Sequence, residues 1–131
     1  MSRENVELVR RAYGALRRRD VEEFVDYFDP EVEFKSLMQE AEGTFFGHDG
    51  VREWWAGLFE TFPDWDPSFV ELRDLGDWVV VRVRGQGVAT GSGLGVDEEF
   101  WQAVEFRGGR AIRHLVVRTE HEALEAAGLS E

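Results

Sequence analysis

The chain has 131 residues, 43% of them apolar and 13% aromatic, with 27 acidic against 15 basic side chains and a net charge of -12. That length fits one domain over residues 1–131, and the apolar content is too high for disorder. The negative surplus repels nucleic-acid phosphates and anionic membranes, no apolar run approaches the ~20 residues of a membrane span, and the lack of cysteine removes disulfides and thiolate chemistry.

Charge begins at Arg3 in MSRENVELVRR, so the start lacks the apolar stretch of a secretory signal and a cytoplasmic location is expected. Val6, Val9, Tyr13 and Leu16 then recur at helical spacing behind a Ser2 cap, which predicts a helix over residues 3–19. Arg17, Arg18 and Arg19 suit its negative end. Asp20 with Glu23 has the form of a capping box for a second helix through Val21, Phe24, Val25 and Phe28, stopped by Asp29-Pro30. Val32 to Lys35 reads as a short strand, and residues 36–47 as an irregular passage holding a brief strand over Thr44 to Phe46. Val51, Trp54, Trp55, Leu58, Phe59 and Phe62 form the apolar stripe of a third helix that ends before Pro63.

Beyond Pro67 the period changes to two, and Ser68 to Leu75, Trp78 to Thr90, Glu98 to Arg107 and Ala111 to Arg118 read as strands of an antiparallel meander. Glycines 85, 87, 91, 93 and 95 predict strong bending followed by a loose loop. Thr119 with Glu122 is a second capping box, opening a last helix that Gly128 closes, with Leu129 placed for the contact of a Schellman ending. The expected class is α+β: a curved antiparallel sheet wrapped around helices into a cone-shaped barrel with one internal pocket.

The phrases NVELVRRAYGALRRRDVEEFVDYFDPEVEF, GTFFGHDGVREWWAGLFETFPDW, DLGDWVVVRVRGQG and AVEFRGGRAIRHLVV resemble the SnoaL-like branch of the nuclear transport factor 2-like superfamily, over nearly the whole chain. That resemblance implies the cone, a pocket for a small hydrophobic molecule, and a homodimer formed through the outer face of the sheet. It also carries cyclases, isomerases, hydrolases, dehydratases and non-catalytic modules on one scaffold, so it is specific for fold and poor for activity. By the resemblance, the general-base aspartate of the ketosteroid isomerases falls near Ser36, their protonated aspartate near Gln102, and their tyrosine near Ala12 or Tyr13. Neither carboxylate is present, so steroid isomerisation by that route is not expected. The acid/base carboxylate of polyketide cyclases is likewise replaced, in a region that offers Gln102 and His114.

Alternation puts Trp78, Val80, Arg82, Arg84 and Gln86 on one face of their strand and Val79, Val81 and Val83 on the other. Either face can point inward; the resemblance favours the first as the pocket side, while pairing with acidic neighbours on a solvated face is the structural alternative. Phe100, Gln102, Val104 and Phe106 share a face of the next strand, as do Ile112, His114, Val116 and Arg118 of the last. If those faces are internal, Gln102 and His114 are polar groups in apolar rows that need a partner or a ligand. The catalytic candidates are then His114 as general acid/base, Gln102 as its orienting or oxyanion partner and Arg82 in support, against a histidine merely satisfied by a neighbouring Glu or Arg.

Candidate ligand contacts are Phe34, Met38, Arg84, Val104, Val116 and Arg118, with Tyr13 and Trp55 added because the resemblance places both near the pocket. The histidines form no HExxH-type pair, the glycines of GQGVATGSGLG precede no helix, and neither a metal nor a cofactor is expected. His48 and His121 sit at helix starts as solvent-facing or capping groups. Three functions stay open: a cofactor-independent enzyme working by proton transfer, a non-catalytic binder of a small oxygenated molecule, and a dimeric interaction module.

Overall fold

The computed structural model describes residues 2–36 and 43–128. Among them the elements run α1 (Ser2–Arg18), α2 (Val21–Asp26), β1 (Phe28–Ser36), β2 (Thr44–Phe46), α3 (Gly47–Thr61), β3 (Asp66–Leu75), β4 (Trp78–Val88), β5 (Gly95–Arg107), β6 (Arg110–Val117) and α4 (Glu120–Ala126). None of these helices is long and apolar enough to cross a membrane.

The stripe of α1 buries Val9, Tyr13 and Leu16 as its spacing requires. The chain leaves that helix through Arg19, whose φ of 61° is the left-handed conformation glycine normally supplies. Its guanidinium compensates by donating to the carbonyls of Leu16, Pro63 and Trp65 while lying 4.2 Å over the Phe59 ring. Arg19 therefore does more than complement a helix dipole: it ties α1 to the turn between α3 and β3. Asp20 caps α2 by accepting from the Glu23 amide, but the reciprocal half of the box is absent because the Glu23 carboxylate is taken by Arg18 and Tyr27. The helix also stops short of Phe28, because the Ala111 amide donates to the Tyr27 carbonyl and draws the chain into the sheet.

The sheet order is β2-β1-β6-β5-β4-β3, with β1 parallel to β6 and every other pairing antiparallel. The expected α+β cone with its curved sheet is present; the sheet is unclosed, with β2 and β3 at its edges, and the β1–β6 pair makes it mixed. Helices α1 to α3 cover its concave face and form the main core with Phe34, Val79, Val81, Val83 and Phe100. Helix α4, opened by a complete Thr119–Glu122 capping box, packs Ala123 on the other face against Val80, Ala103 and Val117. The Leu129 contact lies outside the described residues.

Strand β4 settles which face is internal. Val79, Val81, Val83, Gly85 and Gly87 point into the core, whereas Arg82 and Arg84 point outward, the face opposite to the one the resemblance favoured. Gly85 leaves room for a ring: a Cβ there would lie 2.4 Å from the Trp65 indole. A register shift in β6 between the pairs Glu105–Arg113 and Phe106–Ala111 breaks its alternation, so Ala111 and His114 face inward and Ile112 does not join their row.

Candidate functional site

Register across the curved sheet brings three strands into one inward row. Ser36 of β1 pairs with Val116 of β6, and Val116 pairs with Gln102 of β5. One step along, Phe34, His114 and Val104 form a second row. From the opposite side α1 lowers Tyr13 onto the first row, where its hydroxyl donates a 2.5 Å hydrogen bond to Gln102 Oε1.

That pair partitions the space under the helices. On one side lies a cavity of about 210 Å³ walled by Leu58, Phe62, Trp65, Pro67, Phe100 and Val116, with Ser36 in its lining and Glu98 at its rim. On the other lies a smaller one of about 40 Å³, lined by Phe24, Phe28, Val104, Phe106, Ala111 and His114. Tyr13, Leu16, Trp54 and Gln102 border both. Glu98 is exposed, so the larger cavity meets solvent there.

Electrostatics follow from burial. Tyr13 is held far above its ordinary pKa because burial penalises the phenolate more than the Gln102 bond favours it. Gln102 is 7% exposed; Tyr13 occupies its carbonyl oxygen, and its amide nitrogen has no hydrogen-bond partner among the described residues. His114 is also 7% exposed, stacks on Phe34 with ring centroids 4.2 Å apart, and carries a buried Nδ1 with no partner among the described residues. Desolvation lowers its pKa to about 3, its own backbone pulling weakly the other way, so the ring is neutral at physiological pH. Among the described residues neither a Glu nor an Arg is bonded to it.

The other expected site residues divide clearly. Arg82 donates to Glu99, and Arg84 forms a bidentate pair with Asp97, both on the outer face; neither reaches a cavity. Arg118 lies exposed beyond the end of β6, outside both cavities, where its backbone amide donates to Glu122. Phe34 and Trp55 stand behind the walls: Phe34 is sandwiched by His114 and Trp54, and Trp55 packs on Phe24 and Phe59. The helical turn of about 100° between adjacent residues gives the wall position to Trp54 instead. Met38 lies outside the described residues.

His48 is no free cap: its Nε2 donates to the Phe28 carbonyl at 2.7 Å, joining α3 to β1. Sequence reasoning passed over Glu98, although it falls two and four residues before Phe100 and Gln102 on the face already identified. No group of three or more His, Asp or Glu among the described residues is placed to hold a metal ion.

A curved mixed sheet closed over by α1, α2 and α3, with apolar cavities beneath them, defines the nuclear transport factor 2-like cone. The family pattern described as a SnoaL-like domain matches residues 9–114, and the chain belongs to that family. Among solved structures it is similar to TerC co-crystallised with polyporic acid, at 25% identity and a TM-score of 0.79 over 93% of this chain and 98% of that one. A nuclear transport factor 2-like protein of unknown function from Burkholderia pseudomallei K96243 superposes with a TM-score of 0.81 at 22% identity, over 93% and 95% of the two chains. A candidate SnoaL-like polyketide cyclase from Jannaschia sp. CCS1 does so at 0.76 and 22%, over 98% and 93%. No curated protein matches the sequence.

Proposed function

We propose that this chain is a cofactor-independent small-molecule pocket protein whose larger cavity takes a compact, mostly apolar molecule bearing an oxygen acceptor, held by a hydrogen bond from Gln102. The observation that carries this reading is the Gln102 amide, which borders both cavities. Tyr13 fixes Gln102 Oε1, which leaves the amide NH2 as an unmatched donor between two aromatic-walled cavities. A donor that borders a cavity and holds no other bond is available to a ligand oxygen. Apolar walls with a few convergent polar groups are the usual form of a small-ligand site.

The same donor polarises a carbonyl and stabilises an enolate, which is the step shared by cofactor-independent cyclases and isomerases. Two structural neighbours described as candidate polyketide cyclases, from Jannaschia and Sinorhizobium meliloti, favour that second, catalytic reading. Binding is the better supported of the two, because among the described residues no strong proton acceptor lies at depth. Ser36 is no base at neutral pH, and a histidine with a pKa near 3 accepts a proton too weakly to match the usual requirement of a pKa near the working pH.

Native mass spectrometry of the purified protein, with organic extraction of whatever travels with it, tests the reading. The expected result is one small oxygenated molecule per chain, lost in the Gln102→Leu variant, and a melting temperature several degrees higher for saturated protein, since ligand at a hundredfold its Kd adds about 2.7 kcal/mol. An empty protein that no aromatic ketone or quinone stabilises would overturn it.

A further inference from the structure

The geometry points to an organic cation as the ligand of the larger cavity: its oxygen acceptor takes the Gln102 hydrogen bond, and its amine sits at the mouth against Glu98 and the rings of Trp65 and Phe62. This rests on the binding reading above and adds the charge class of the ligand.

Glu98 supplies the first argument. On β5, Asp97 and Glu99 point outward and are each taken by an arginine, Arg84 and Arg82. Glu98 points the other way, onto the cavity rim, and has neither an ion pair nor a hydrogen bond with the described residues. Among the described residues one carboxylate therefore stands over the opening without a counter-ion, on the same strand face as the Gln102 amide.

Aromatic faces supply the second. Trp65 and Phe62 lie side by side with ring centroids 5.5 Å apart, and Trp65 stacks over Phe100 at 6.4 Å. Ring faces attract a cation within about 6 Å, most strongly when it is desolvated. Trp65 is held in place before any ligand arrives, seated on Gly85 and fastened through its carbonyl to Arg19, so little ordering is lost on binding. On the adjoining surface Asp66 and Asp97 are paired with Arg17 and Arg84, which leaves Glu98 as the carboxylate at the mouth.

Spacing sets the size of the molecule. Four residues along a strand place the Cα atoms of Glu98 and Gln102 about 13 Å apart. Subtracting a polar contact of about 3 Å at each end leaves about 7 Å between the acceptor and the amine, the span of one para-substituted benzene ring.

Calorimetric titration with a matched pair tests this: para-acetyl-trimethylanilinium and its uncharged carbon isostere, para-tert-butylacetophenone, both at low salt. The wild-type protein is expected to bind the cation at least about tenfold more tightly than the isostere. Glu98→Gln, a change at an exposed site, should narrow that gap to below about threefold while leaving the isostere's affinity unchanged; Gln102→Leu should weaken both probes by a similar factor. Equal affinity of the wild type for the two probes overturns the cation assignment and leaves the pocket standing. Failure of the wild type to bind either probe overturns the pocket reading as well.

Discussion

His114 shows how a position in a sequence pattern sets the electrostatics of a side chain. Its position in an apolar row announces burial, and burial of the imidazole lowers its pKa and keeps the ring neutral. The consequence for stability has a definite sign. The folded pKa lies below the ordinary value of 6.5, so the unfolded chain binds a proton at His114 that the native chain refuses between pH 6.5 and about 3. Stability is therefore fully present above 6.5 and falls by about 1.4 kcal/mol per pH unit as pH drops through that window. Chemical denaturation at about pH 7.5 and about pH 5 should show the wild type losing about 2 kcal/mol more than His114→Leu, in which the carboxylate contributions are the same and cancel. Equal losses in the two proteins would mean that the ring is charged in the native state.

At the scale of elements, periodicity located every helix and strand within a few residues, because a face buried on one side leaves a 3.6- or two-residue signature that composition cannot imitate. What alternation does not carry is direction. Strand β4 offers valines on both faces, since α4 covers part of the outer one, and the arginines of one set looked equally suited to a pocket. The signal that decides it was present in the partner strand: Asp97 and Glu99 alternate in step with Arg84 and Arg82, so the two rows neutralise each other on the solvent side. Three other features were hidden for physical reasons. The parallel β1–β6 pairing depends on a contact about 80 residues apart in sequence, the shift at Ile112 on a local change of register, and the choice of Trp54 over Trp55 on a rotation of one helical step.

Glycines 85 and 87 belong to the same scale. The sequence presents them as bend-formers, and the structure gives them a second task, a shelf for the Trp65 ring and its neighbours. Gly85→Ala forces a methyl group to within 2.4 Å of that ring, which is rigidly held by Phe62 and Phe100. The expected cost is about 1–3 kcal/mol with a shifted tryptophan emission, read by denaturation and fluorescence. A variant as stable as the wild type with unchanged emission would show that the indole is mobile, and would remove the preorganisation argued for the cavity mouth.

For the whole molecule, the outer face of the sheet is where the family resemblance places a homodimer, and its chemistry makes that arrangement testable. Beyond the area covered by α4, this face presents the Arg82–Glu99 and Arg84–Asp97 pairs, each about half exposed. In a monomer such pairs contribute about 0–1 kcal/mol apiece, so deleting one partner is nearly silent. Buried between two chains, the same deletion strands a charge in the interface and costs about 3–5 kcal/mol. Asp97→Ala should accordingly convert a species of twice the 15.1 kDa chain mass into one of 15.1 kDa by sedimentation velocity, with little change in the stability of the separated chain. Each chain brings a net charge of -12 to the encounter, so moderate salt should tighten the association by screening that repulsion. A wild type that sediments at 15.1 kDa across that salt range would exclude the outer-face dimer and leave the arginine rows as surface pairs alone.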